Sequence, residues 1–183
     1  AKHFDGDLQS HVLTQMALSV NPNLVDALVF QARLNLELED YAEAAQQAEA
    51  ALRINPASLD ALSVLAGARR FQGQEADFER ARARTFSFNP VYADFYSALA
   101  EVATHNRLYQ ESVDFAKLAL GVDPKSWRAH ALLGLGLLRT RGAGPQARRA
   151  VALIYLTPLI STAAASNFPV HLMSTPSPMK MTA

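Results

Sequence analysis

Side chains that could bind a metal, transfer a proton or hold a phosphate are few in this sequence, and their spacing matches no known catalytic motif. There are five histidines: His3, His11, His105, His130 and His171. No two of them lie at metal-ligand spacing on one helix, and the H-E-x-x-H motif is absent. The segment GLG at 134–136 follows a helical apolar run and not a strand, which argues against a phosphate-binding loop.

Other reactive groups are missing altogether. The chain contains no cysteine, which excludes disulfides, thiolate metal sites and thiol nucleophiles. These observations together predict a protein that is not an enzyme and that needs no metal or other cofactor.

Three aspartates recur at a fixed interval, because Asp26, Asp60 and Asp94 lie 34 residues apart. Stacked side by side, they could form a ladder of metal ligands. Alternatively, each could lie in the first turn of a helix, where a carboxylate complements the helix dipole. We favour the second interpretation, which needs nothing beyond ordinary helix electrostatics.

The same interval governs the prolines. Five of the nine prolines fall on one 34-residue lattice: Pro22, Pro56, Pro90, Pro124 and Pro158. A proline ends a helix because the residue before it is driven out of the helical region of φ/ψ space. The lattice therefore predicts that a helix stops at the same point of a repeated unit.

Each unit has the pattern of two amphipathic helices, A and B, separated by a polar turn. With the proline at position 32, the eighth position is always small and holds Ala32, Ala66, Ala100 and Gly134. We predict four units: 25–58, 59–92, 93–126 and 127–160. Residues 1–24 are expected to form a partial repeat that caps the front of the array, and 161–183 an irregular tail that contains three prolines.

The unit at 25–58, which contains DALVFQARLNLELEDYAEAAQQAEAALRINP at 26–56, resembles a tetratricopeptide repeat (TPR), a family whose period is 34 residues. It carries the small residues of that family at positions 8, 20 and 27 and the aromatic residue near position 17, which are Ala32, Ala44, Ala51 and Tyr41. The resemblance implies an all-α, right-handed superhelical solenoid. It also implies a scaffold that binds a protein or peptide in a concave groove lined by the A helices.

The resemblance further implies which side chains face that groove, through helix A positions 2, 5, 9, 12 and 13; position 2 holds Asp26, Asp60, Asp94 and Arg128. The predicted groove residues are Val29, Arg33, Leu36, Ser63, Arg70, Phe71, Glu101, His105 and Arg139. Among them, Phe71 is expected to be the large exposed aromatic side chain. The arginines could bond the carboxylates of a bound peptide, or instead pair with acids on the neighbouring helix.

Two narrower functions can be compared with the sequence. The TPR proteins that clamp a chaperone's terminal carboxylate use a basic set, but of the matching residues here only Arg33 is basic and Asp94 would repel the ligand. We therefore reject the carboxylate clamp. The stretch 89–140 is also similar to TPR segments of bacterial proteins that carry a metallopeptidase-like domain, which leaves open a regulatory or substrate-presenting role in a larger hydrolase.

Composition limits the partners. The formal net charge is zero, with 17 bases against 17 acids, so nucleic acid is not expected as a partner. The longest apolar stretch, at 151–160, covers only about half a bilayer and contains a proline, so no membrane span is expected. An apolar end face around Leu153, Ile154 and Leu156 leaves self-association open.

Overall fold

The computed structural model describes residues 2–141, with side chains placed from residue 9 to residue 140. Within that range the chain forms eight α-helices and no strand. Their bounds are α1 Lys2–Val20, α2 Val25–Glu37, α3 Tyr41–Ile54, α4 Leu59–Phe71, α5 Glu75–Phe88, α6 Asp94–His105, α7 Tyr109–Val122 and α8 Trp127–Arg141. The predicted all-α class is confirmed. The second helix of the unit 127–160, the end face around Leu153 and the tail 161–183 lie outside the described residues.

The helices stack as antiparallel hairpins. The pairs α2–α3, α4–α5 and α6–α7 each pack closely, α1 packs on α2, and α8 packs on α7. The first helices of successive units also contact one another, α2 with α4, α4 with α6 and α6 with α8. They form one continuous layer, which we call the A layer.

Each helix B ends in a turn built around the lattice proline. The side-chain oxygen of the residue before the proline accepts a hydrogen bond from the backbone N–H two positions on, at 2.9–3.1 Å; these residues are Asn21, Asn55, Asn89 and Asp123. Asn and Asp favour such turns because their short side chains mimic a backbone turn. The recurrence of Asn-Pro, and its replacement by Asp-Pro at 123–124, therefore has a local cause.

A second recurring turn joins helix A to helix B. Glu39, Gly73 and Arg107 lie 34 residues apart and all have positive φ, at 64°, 74° and 61°. The next residue donates its N–H back to a carbonyl five positions earlier, for example Leu108 to the oxygen of Ala103 at 2.7 Å. This is the Schellman arrangement that ends helices, and glycine is the residue that adopts its left-handed conformation without strain.

We therefore expect Arg107→Gly to stabilise the protein and Gly73→Arg to destabilise it, each by about 0.5–1 kcal/mol. The gain at position 107 is the relief of left-handed strain, reduced by the extra entropy that glycine gives the unfolded chain. Urea unfolding followed by circular dichroism measures both changes. If the two substitutions shift the free energy of unfolding in the same direction, backbone strain does not govern these turns.

Small buried residues set the spacing of the helices. Ala32, Ala66 and Ala100 are completely buried, and Gly134 at the same position is buried too. Only a residue without a long side chain lets neighbouring helices approach at these points. The small eighth position predicted from the sequence thus lies at helix–helix contacts.

We number the hairpins α2–α3, α4–α5 and α6–α7 as the first, second and third. The joint between the second and third hairpins is packed differently from the joint between the first and second. The backbones of α5 and α6 stay apart, whereas the corresponding pair α3 and α4 packs closely. Aromatic rings fill the space: Phe95 has its ring centroid 6.2 Å from that of Phe78, 5.5 Å from that of Phe86 and 5.1 Å from that of Tyr96. Phe78 occupies position 20, where the resemblance implies a small residue, so a larger side chain here holds the helices further apart.

Candidate partner-binding groove

The structure divides the nine predicted groove residues into two groups. Val29, Leu36 and Ser63 are buried, at 7%, 2% and 3% exposure. Their side chains are not accessible to a ligand in this arrangement. The remaining six are Arg33, Arg70, Phe71, Glu101, His105 and Arg139, which keep partial or full exposure.

Leu36 is buried because the first and third hairpins meet over the second. A Cβ atom on Gly67 of α4 would lie 2.9 Å from a methyl group of Leu36 and 3.3 Å from one of Leu99. The missing side chain at position 67 therefore lets α2 and α6 come into direct contact across α4. This contact closes the part of the A layer that lies nearest the A–B turns.

Phe71 differs from the expectation of an exposed aromatic side chain. It is only partly exposed, and its ring stacks on that of Tyr41 with centroids 5.8 Å apart. The Tyr41 hydroxyl in turn accepts a hydrogen bond from the side-chain amide of Asn106 at 3.0 Å. Burial and the nearby Glu39 raise the pKa of the Tyr41 phenol. Phe71 thus belongs to the contact between the first and third hairpins.

Removing the Tyr41 hydroxyl tests that contact. We expect Tyr41→Phe to lower the free energy of unfolding by about 1–2 kcal/mol, because the Asn106 amide loses its hydrogen-bond partner in a partly buried place. Tyr109 occupies the same repeat position and its hydroxyl makes no hydrogen bond to the described residues, so Tyr109→Phe should be close to neutral. Chemical denaturation of both variants gives the comparison, and equal effects would contradict a role for the Tyr41–Asn106 bond.

Charged side chains line the same region. His105 Nδ1 lies 3.8 Å from Glu37 Oε1, which again links the third hairpin to the first. Arg70 pairs with Glu75 at 2.9 Å and reaches Glu111 at 3.8 Å. Of the predicted groove residues, Arg70 is therefore paired with acids of the protein itself, and His105 lies beside one.

A second polar cluster lies toward the beginning of the A helices. Arg33 of α2 is 3.9 Å from the carboxylate of Asp60 of α4. The Tyr92 hydroxyl, from the segment before α6, donates to the same carboxylate at 2.8 Å. Burial, the hydrogen bond to Asp60 and its negative charge raise the pKa of Tyr92, which keeps the phenol protonated as a donor. Three successive hairpins thus share one carboxylate.

A third cluster joins α6 to α8. Arg128 pairs with Glu101 and, at 3.4 Å, with Asp94. Burial alone would lower the pKa of the Arg128 guanidinium, but its bonds to Glu101 and Asp94 outweigh burial and raise the pKa. Asp60 and Asp94, two members of the aspartate series, therefore each have a cationic partner, and each lies in the first turn of its helix as predicted.

We call the side chains of the second and third clusters the polar groove: Arg33, Asp60, Tyr92, Asp94, Glu101 and Arg128. Sequence reasoning missed Tyr92, which lies outside the helix whose periodicity identifies groove positions. The feature of the sequence that could have identified Tyr92 is an aromatic residue just before an A helix. Arg139 is exposed near the end of α8 and is not part of these clusters.

The described part of the chain offers neither a metal site nor a membrane span. No group of three or more histidine, cysteine, aspartate or glutamate side chains within residues 9–140 could hold a metal ion. Over the same residues, no helix has the length and apolar character needed to cross a bilayer.

Likeness to known proteins rests on structure alone. No family model matches the sequence, and no curated protein matches it either. The thermophilic TPR protein TTC0263 of Thermus thermophilus superposes with a TM-score of 0.56 at 19% identity, over 86% of this chain and 89% of that one. MamA superposes with a TM-score of 0.50 at 19% identity, over 90% of this chain and 95% of that one.

These likenesses confirm the TPR resemblance at the level of fold. They give no support to the resemblance to proteins with a metallopeptidase-like domain. Helical hairpins, a 34-residue proline lattice and solved TPR structures all agree, and the chain therefore has the fold of the tetratricopeptide-repeat proteins.

Proposed function

We propose that this protein is a non-catalytic scaffold that binds a peptide or protein partner in the concave groove of its A layer, at the polar groove defined above. The observation that carries the proposal is the row of ion pairs between neighbouring A helices. Arg33 with Asp60 and Arg128 with Asp94 each place a charge of either sign within reach of an extended ligand.

These pairs can exchange partners at low cost. The side chains of Arg33 and Asp60 are 36% and 62% exposed, and ion pairs with such exposure stabilise a protein by only about 0–1 kcal/mol. A ligand carboxylate or amine can therefore replace one member without a large loss of stability. Tyr92 adds a fixed hydroxyl that can orient a polar backbone group.

The groove residues near the A–B turns are weaker candidates. Leu36 is buried by the contact between α2 and α6, and Phe71 stacks on Tyr41. A ligand would have to break these contacts before reaching either side chain. The proposal therefore assigns binding to the half of the A layer near the helix starts.

Site-specific photo-crosslinking tests the proposal. A benzophenone amino acid at position 60 should crosslink to a partner in lysate of the source cell, because Asp60 is exposed in the polar groove. The same group at position 46, on the exposed side of α3, is the matched control. Crosslinks from position 60 alone, abolished by Arg33→Glu, support the groove.

Two results would contradict the proposal. Crosslinks from position 46 alone would move the partner to the B helices. Crosslinks from position 60 that survive both Arg33→Glu and Arg128→Glu, in variants of unchanged helicity, would mean that the polar groove does not select the partner.

A further inference from the structure

A cleft of about 550 Å³ opens between α3 and α5, on the other side of α4 from the polar groove. The helices α3 and α5 both pack closely on α4, but they make at most marginal contact with each other. Leu65 of α4, which is partly exposed, supplies the accessible apolar surface of the cleft, whereas Leu62 and Ala81 line it as buried side chains. A volume of this size accommodates a few side chains of a bound ligand.

The cleft is bridged by arginines that connect the first hairpin to the second. Arg69 of α4 binds the Glu49 carboxylate of α3 at 2.6 Å. Arg84 of α5 donates to the carbonyl oxygen of Pro56, after the end of α3, at 2.7 Å. Both bridges hold the walls at a fixed separation, so the cleft is preformed.

Its charge is predominantly positive. Arg69, Arg80 and Arg84 line the cleft together with only two acids, Glu49 and Asp77. Glu49 is neutralised by Arg69 and Asp77 by Arg80.

The third cation, Arg84, makes its hydrogen bond to a neutral carbonyl and not to a carboxylate. Its positive charge is therefore not balanced by a bonded acid. Arg53 lies one turn beyond Glu49 on the same face of α3 and adds a further cation beside the cleft.

We propose that this cleft binds a short acidic peptide segment, which places an apolar side chain on Leu65 and its carboxylates against Arg80 and Arg84. Guanidinium groups bind carboxylates through paired, charge-assisted hydrogen bonds, and the apolar surface supplies the anchor. The charge of the cleft selects an acidic ligand over a basic one.

The lining favours a peptide over a nucleic acid. Single-stranded nucleic acids bind by stacking bases on aromatic side chains beside a basic groove. None of the residues that line this cleft is aromatic. The leucine surface instead suits an aliphatic side chain of a peptide.

This second site does not depend on the function proposed for the polar groove. On α4 the cleft uses Leu65 and Arg69, whereas the polar groove uses Asp60, and these groups project from different sides of the helix. One scaffold could therefore hold two partners at once, one on each side of α4.

The test is selection of a random twelve-residue peptide display library on the full chain. We expect recovered peptides to be acidic and to contain leucine or a similar aliphatic residue. Binding of the recovered peptides, measured by fluorescence anisotropy, should fall about tenfold or more with Arg80→Glu/Arg84→Glu, because two attractive charges become repulsive. It should also weaken with added salt.

A matched double variant controls for net charge. Arg107→Glu/Lys117→Glu changes the same number of cations into anions on exposed positions away from the cleft, and it should leave binding unchanged. Circular dichroism confirms that both variants fold. Asp60→Ala, in the polar groove, should also have no effect on these peptides.

Three results would overturn the proposal. The first is a library that yields no acidic peptides. The second is binding that falls equally in the cleft variant and its charge control. The third is binding of a single-stranded RNA oligonucleotide that depends on Arg80 and Arg84 while peptide binding does not, which would assign the cleft to nucleic acid.

Discussion

Phe95→Ala is expected to destabilise the protein by about 3–5 kcal/mol, the range measured when a large aromatic residue is removed from a core. Phe95 is completely buried and contacts three other aromatic rings. It also lies at the joint where the backbones of α5 and α6 stay apart, so no close helix packing compensates for the lost ring.

The control is a phenylalanine that buries little of its side chain. Phe88 at the end of α5 is 51% exposed, so Phe88→Ala should cost far less than Phe95→Ala. Urea unfolding gives both free energies, and hydrogen exchange should show new opening at α5 and α6 first. An equal loss in the two variants would mean that the aromatic cluster does not hold the second and third hairpins together.

Gly67→Val is expected to cost about 2–3 kcal/mol, the upper part of the range for overpacking a filled core. Valine places methyl groups where Leu36 and Leu99 already lie, at distances of 2.9 and 3.3 Å from the new Cβ alone. Because Leu36 and Leu99 are both buried, their methyl groups have little room to shift, and we expect α2 and α6 to separate. The radius of gyration measured by small-angle X-ray scattering should therefore increase.

Gly121 gives the opposite outcome and serves as the control. It lies in α7, and a Cβ built there meets nothing within 4 Å. Gly121→Ala should raise stability by up to about 1 kcal/mol through helix propensity, with no change in dimensions. A stable and equally compact Gly67→Val variant would show that the contact between α2 and α6 does not depend on the glycine.

Repetition made much of this fold predictable from the sequence. The helix ends at Pro22, Pro56 and Pro90 depend on local chemistry that is the same in every unit. The same argument from the sequence therefore predicts each of these helix ends. The small residue at Ala32 and the equivalent positions likewise indicates a close contact between neighbouring helices. Such features need no knowledge of distant parts of the chain.

Contacts between hairpins that are not neighbours could not be predicted from the sequence. The groove positions implied by the TPR resemblance treat Leu36 and Phe71 as open, because a repeat pattern describes each unit without the curvature of the stack. That curvature depends here on Gly67, whose absent side chain admits Leu36 and Leu99 together. The partial burial of Phe71 and the bond between Tyr41 and Asn106 follow from the same approach.

The direct contact between the first and third hairpins changes how the protein should respond to force. A stack in which only adjacent units touch lengthens like a spring, because small rotations at each joint add up. Here, extension must first separate α2 from α6 and break the bond between Tyr41 and Asn106. The front three hairpins therefore carry load as one stiff block that yields abruptly, and elastic compliance is left to the joint between α6 and α8.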